Sequence, residues 1–209
     1  MLLAGGQSQR MGRDKATMEV GGETLVARHL RQLRAVGVRY GVVVCNGRNM
    51  ARIAANKVVQ EGAGMSGAVR TGLRALGPVG CAWLVCVNDI ITDSGYQQIV
   101  ACELPEGIVI PTVRLNCVFD GGMLDVHSGR VRAIIEKPLG GCQPGADVNI
   151  MIHRVVGRQP VQALSVAADY EEGVNQLIQA GLEARSVTVD SWIALKTEHD
   201  VRRMHDAAF

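Results

Sequence analysis

Leu3–Ala16 reads L-A-G-G-Q-S-Q-R-M-G-R-D-K-A, and the fold is decided there. A short apolar strand ends in Gly5-Gly6, a polar turn follows, and Arg10, Gly12 and Lys15 complete the segment. Glycine has no Cβ, so its backbone can come close to a ligand and can adopt positive φ. Successive N–H groups in such a turn form a concave anion site. Arg10 offers a planar fork and Lys15 a compact charge, the two kinds of cation that suit a polyphosphate. Two commoner glycine loops fail: G-x-G-x-x-G is absent, and the P-loop pattern fails because Gly6 and Gly12 stand one residue too far apart and Arg13 follows. The bland alternative is a surface turn with solvated charges. Arg10, Gly12 and Lys15 in register favour a triphosphate grip.

Around this segment, short apolar runs alternate with amphipathic ones. Arg39–Cys45, Cys81–Val87 and Gly107–Thr112 read as strands. Val26, Leu30 and Leu33 mark one helix, stopped by Gly37, and Val69, Leu73 and Leu76 a second, stopped by Gly77-Pro78. That alternation predicts a mostly parallel sheet covered by helices on both faces. In the second half, Leu115–Asp120, Gly121-Gly122 and Met123–Val126 read as a hairpin. Arg130–Lys137 and Asp147–Arg154 add strands, Glu171–Ala180 a helix, Glu183–Val189 a further strand, and a last helix is capped by Thr197 with Asp200. No linker, repeat or low-complexity segment interrupts the chain, which predicts a single domain over 1–209. Met1–Ala4 is shorter than the roughly 5–6 residues usual for a strand, as if a few residues preceded it.

Composition narrows the function. With 47% apolar residues there is ample core material. A net charge of +2 is too small to call for a nucleic acid, and 3% aromatics leave little to stack bases on. No run approaches a membrane span and no secretory leader is evident, so a cytoplasmic location is expected. The six cysteines form no C-x-x-C pair or zinc pattern; Cys45, Cys81, Cys86 and Cys117 lie in strand-like runs and are read as buried thiols. His29, His127, His153, His199 and His205 lack ligand spacing and are assigned no chemistry.

Leu3–Ala16 resembles the signature of molybdenum cofactor guanylyltransferases, within the wider nucleotidyltransferases of GT-A-like fold. The resemblance continues through Val42–Arg48 (VVVCNGR), Glu61–Gly67 (EGAGMSG), Val85–Asp89 (VCVND) and Ile193–Val201. It implies a Rossmann-like, three-layer α/β/α fold with a mostly parallel mixed sheet, and an enzyme that moves a nucleoside monophosphate, best GMP from GTP, onto a phosphorylated acceptor. It implies that Gly5, Gly6 and Arg10 cradle the phosphates, with Leu3 and Ala4 also in the nucleotide site. Lys15 would neutralise the α-phosphate and the departing pyrophosphate, and Asn46 with the turn from Glu61 to Gly67 would lie beside the base. Asp89 would hold Mg²⁺, a role its place after a buried strand also supports, since Mg²⁺ favours one or two carboxylates with phosphate oxygens. The alternative for Asp89 is a cap for the helix near Asp93.

Later motifs, Glu136-Lys137-Pro138, Asp147-Val148-Asn149 and Tyr170–Gly181 leading to Trp192, resemble sugar-1-phosphate nucleotidyltransferases instead. There Lys137 would contact the acceptor's phosphate and Asn149 its sugar; as a bland alternative, Lys137 is a solvated strand-end lysine. Gly145–Ile152 also resembles enzymes that guanylylate adenosylcobinamide phosphate. One departure stands out: Ala194 and Lys196 occupy places where related enzymes often carry Asp or Asn, which leaves Asp190 or Asp147 as the remaining options for a second metal ligand. From another class, Ala194 also fits a nucleotide-binding sensor that no longer catalyses. A glycosyltransferase using a nucleotide-sugar donor is a weaker alternative, since such enzymes usually carry a D-x-D metal motif and Val87-Asn88-Asp89 does not supply one. The chain is expected to act as a monomer or small homo-oligomer.

Overall fold

The computed structural model describes residues 1–6 and 14–206. In chain order the elements begin with β1 (Leu2–Ala4), a ribbon of β2 (Glu19–Val20) and β3 (Glu23–Thr24), α1 (Leu25–Ala35), β4 (Val43–Cys45) and β5 (Lys57–Val59). Then follow α2 (Gly64–Leu76), β6 (Cys81–Cys86), β7 (Asp89–Ile91), α3 (Asp93–Ala101) and β8 (Gly107–Arg114). The second half supplies β9 (Met123–His127), β10 (Arg130–Ile135), β11 (Asp147–Asn149), β12 (Ile152–Val156), α4 (Arg158–Val166) and α5 (Tyr170–Gln179). It closes with β13 (Ala184–Thr188), β14 (Trp192–Ala194) and α6 (Glu198–Asp206).

Among the described residues one mixed sheet runs in the order β11-β9-β10-β13-β8-β12-β6-β1-β4-β5. Parallel pairing links β6, β1, β4 and β5 at one end, and recurs between β8 and β13. Alternate residues of each strand feed opposite layers, as the period of two requires. Leu2, Val43, Cys45, Trp83 and Val85 meet Val26 and Leu33 of α1, Ile99 of α3 and Met204 of α6. Leu3, Val44, Ala82 and Leu84 meet Val69 and Leu73 of α2, Leu164 of α4 and Val174 of α5. The result is the expected α/β/α sandwich.

The helix ends follow their local chemistry. Thr24 caps α1 by accepting from the Ala27 N–H at 3.2 Å, and Gly37, at φ +87°, sends its N–H back to the Arg34 carbonyl. Gly77 closes α2 at φ +72°. Thr197 and Asp200 cap α6 reciprocally: Thr197 N–H donates to Asp200 at 2.8 Å and Asp200 N–H to Thr197 at 3.4 Å.

Several expectations are corrected. The hairpin joins β9 to β10, not Leu115–Asp120 to β9; its turn is Ser128-Gly129, at φ +50° and +77°, the pair of positive angles that matches strand twist. Leu115–Asp120 is loop, bridged among the described residues only at Phe119 to Cys142. Asp147–Arg154 divides into two strands, β11 against β8 and β9, and β12 against β6 and β8. Of Arg39–Cys45 only Val43–Cys45 is strand, and α4 had no counterpart among the expected helices. The thiols also divide: Cys45 and Cys142 are buried, while Cys81, at a strand end, and Cys117, in the loop, are exposed.

Candidate active site

The parallel strands β1, β4 and β6 all end at one edge of the sheet, and the segments leaving them border a cleft of about 530 Å³. In open α/β sheets that edge is where ligands bind. Leu3, Ala4, Gly5, Gly6, Lys15 and Asn46 line it. Arg10 falls outside the described residues.

Two asparagines of the β4 loop brace the glycine turn. Asn46 Nδ2 donates to the carbonyls of Gly5 (3.3 Å) and Gly6 (3.2 Å), and its Oδ1 accepts from the N–H groups of Arg48 and Asn49. Asn49 is buried and donates to the Ala4 carbonyl (2.8 Å) and to Asp14 Oδ1 (3.3 Å). Both ends of the Leu3–Ala16 segment are thereby tied to one loop. Asn46 borders the cleft, with its amide engaged in this bracing. Asn49 went unrecognised because a buried asparagine near a turn carries no distinctive spacing.

The opposite wall is the start of α2. Its N-cap is Ala63, with no side-chain cap, and Ala63, Gly64 and Met65 face the cleft. Uncapped N–H groups at a helix start favour an anion. Gln60, also missed in the sequence, donates through Nε2 to the carbonyls of Gly62 (3.0 Å) and Gly64 (2.8 Å) and packs on Gly5, where an added Cβ would collide with its Oε1. Glu61 does not line the cleft; its side chain pairs with Arg74 at 3.5 Å on the surface. Gly67 lies behind the wall, where a Cβ would come within 2.8–2.9 Å of the Glu61 and Gly62 backbone.

Asp89 opens β7, and Ala194 of β14 sits directly opposite in antiparallel register. Its Oδ1 accepts from Trp192 Nε1 at 2.8 Å. Burial pushes the carboxyl up to about 6, against the pull of the Trp192 N–H, Lys196, the Met151 N–H and Lys15. The Lys15 ammonium donates to the Leu195 carbonyl at 2.6 Å, bringing the glycine segment to the chain beyond β14. Thr92, not Asp89, caps α3, its Oγ1 accepting from the Gly95 N–H at 3.2 Å. Asp147 is engaged bidentately by Arg114 at 3.0 and 3.1 Å, and Asp190 accepts from Gln98 at 3.4 Å. Among the described residues no group of three or more His, Cys, Asp or Glu is placed to hold a metal ion. A divalent ion at Asp89 would therefore complete its shell with phosphate oxygens and water, which is how Mg²⁺ binds beside nucleotides.

Further residues extend from Asp89 along the sheet. Phe119 meets Trp192 edge-on at 5.1 Å between ring centres, and the Lys196 ammonium lies 3.9 Å above Phe119 and donates to the Asp120 carbonyl. Lys196 stands in the sequence as a departure; the tertiary structure sets it among Asp89, Phe119 and Glu136. Lys137 is exposed at φ +44°, a left-handed conformation uncommon for a side-chain-bearing residue. Asn149 ends β11 beside Gly122, and its Oδ1 lies 2.9 Å from His153 Nε2.

Residues 1–181 match the profile of the MobA-like NTP transferase domain. Over 86 residues the chain is 41% identical to a protein of Opitutus terrae named a probable molybdenum cofactor guanylyltransferase; the match spans 40% of this chain and 43% of that relative, under half its length. In fold, 98% of the chain superposes on 90% of the UTP-bound UGPase from Acinetobacter baumannii, with a TM-score of 0.79 and 12% identity. It likewise covers 96% of HddC from Yersinia pseudotuberculosis at a TM-score of 0.74 and 15% identity. At such identities the likeness is one of fold alone. A glycine turn held at the sheet edge, with a match over most of the length, places the chain in the family of MobA-like NTP transferase domains.

Proposed function

We propose that the protein transfers a nucleoside monophosphate, GMP from GTP by preference, onto a phosphorylated acceptor and releases pyrophosphate. The observation that carries this is the cleft itself: a braced glycine turn on one wall, an uncapped helix start on the other, and Lys15 alongside. The reaction is an in-line attack by an acceptor phosphate oxygen on the α-phosphorus, with the β,γ-pyrophosphate leaving. Both reactants are anions, so positioning and charge neutralisation do the work. The turn from Gly5 and the start of α2 hold the triphosphate, and Lys15, with Arg10, offsets its charge. Asp89 would hold Mg²⁺, which supplies further neutralisation across the phosphate oxygens. Lys137 and Asn149 belong to the acceptor side. Preference for guanine follows the Opitutus terrae relative, and a pterin phosphate is the first acceptor to try, with sugar 1-phosphates and cobinamide phosphate next.

The test is pyrophosphate release from GTP, CTP, UTP and ATP with Mg²⁺ and that acceptor panel, using wild type, Lys15→Ala and Asp89→Ala. Removing one preorganised charge contact lowers turnover by roughly 10²–10³. Near-normal turnover in both variants would refute the assignment. Ala194, facing Asp89 in the β7–β14 pair, favours one other reading, a nucleotide sensor without turnover. Nucleotide binding without pyrophosphate release across the whole panel would support that reading.

A further inference from the structure

Behind the acceptor side lies a buried chain of polar groups. Tyr170 and His153 are fully enclosed, at 1% and 0% exposure, yet the Tyr170 hydroxyl is 2.7 Å from His153 Nδ1, and His153 Nε2 is 2.9 Å from Asn149 Oδ1. The direction of these bonds follows from one requirement. A buried phenol hydroxyl must donate its proton or leave it unsatisfied, at a cost of several-fold to a hundredfold in stability. His153 Nδ1 is the partner within reach, so it accepts. Burial holds the imidazole neutral, its pKa pushed down to about 3, so its single proton resides on Nε2. Nε2–H donates, and the atom of Asn149 that faces it must be the carbonyl oxygen. Both hydrogens of the Asn149 amide then point away from His153, where Nδ2 borders Gly122.

We propose that Tyr170 and His153 are positioning residues that fix the Asn149 side chain in one of its two amide orientations, so that it presents donors only to an oxygen of the acceptor substrate. The inference rests on the nucleotidyltransferase reading and adds the selection rule for that side: an oxygen that can accept, a hydroxyl included, is bound at this point, and a group that can only donate, such as an N–H or an ammonium, is turned away. The phenol is held in place from behind. The Tyr170 N–H donates to Ser66 Oγ at 3.0 Å, and Ser66 donates to Asp169 at 3.2 Å, joining the starts of α2 and α5.

Two measurements on the full chain decide it. With ¹⁵N-labelled histidine, His153 in the wild type should show a protonated Nε2 and a bare Nδ1; the opposite tautomer overturns the proposal without any substitution. In steady state, Tyr170→Phe should raise the KM for the acceptor about tenfold, the equivalent of one hydrogen bond of ~1.4 kcal/mol, while KM for GTP and kcat hold. In an Asn149→Ala background the same change should add nothing. Additive effects, a parallel rise in both KM values, or no rise in the acceptor KM overturns the proposal, and each would mark the phenol as structural only. Absence of pyrophosphate release by the wild type with every acceptor would instead refute the functional reading, leaving the tautomer result to stand by itself.

Discussion

Asp89→Asn should make the metal-free protein more stable and nearly inactive. Burial lifts the carboxyl from 3.8 to about 6 in the folded chain. An ionised group with that difference costs the fold roughly 3 kcal/mol, and since Asp89 keeps part of its surface to solvent, about 2 kcal/mol is the working figure. The sign is set by the direction. The folded pKa lies above the unfolded one, so the penalty is complete above about pH 6, shrinks as pH falls toward 3.8, and vanishes below it. Asparagine retains an oxygen for the Trp192 N–H and carries no charge. In chelator at pH 7.5 the variant should melt about 4–8 °C above wild type, with the gap closing toward pH 4. Melting curves from pH 4 to 8, run beside the pyrophosphate assay, check both halves. A variant that melts at or below wild type at pH 7.5, or a gap that ignores pH, would show that the carboxyl is not held ionised against its environment.

Lys137→Gly relieves the left-handed backbone at φ +44°; the metal-free protein should gain about 0.5–1 kcal/mol while the acceptor KM rises at least tenfold, read by melting and kinetics. A stability loss would mean the conformation is unstrained. Gly67→Ala drives a methyl to within 2.8–2.9 Å of the Glu61 and Gly62 backbone, which cannot swing aside as a side chain would. It should cost about 1–3 kcal/mol and raise the KM for GTP more than that for the acceptor, because the displaced turn lines the cleft proposed for the nucleotide.

Much of the fold was legible in residues close together along the chain. Gly5-Gly6 at the end of a short apolar strand, the i, i+4, i+7 spacing of Val26, Leu30 and Leu33, the stops at Gly37 and Gly77, and the Thr197–Asp200 cap all specify backbone conformation within a few residues. The structure places each of them as that chemistry requires. Where the reading failed, local pattern was ambiguous. Leu115–Asp120 is apolar enough for a strand, yet among the described residues it is bridged at Phe119 alone, and Asp147–Arg154 reads as one run although Ile150 and Met151 separate two strands with different neighbours.

The sequence by itself determined a mixed α/β sandwich with a glycine turn after its first strand, because short-range sterics, capping and apolar periodicity act between neighbours. What sits against what across the sheet was decided by tertiary structure alone. Asp89 faces Ala194 and bonds Trp192 across 103 positions of chain, Asn46 and Asn49 reach back to tie down Gly5, Gly6 and Ala4, and His153 links Tyr170 to Asn149. Such contacts depend on strand register and on which helix covers which face, and these are properties of the whole packed core that no window of consecutive residues contains.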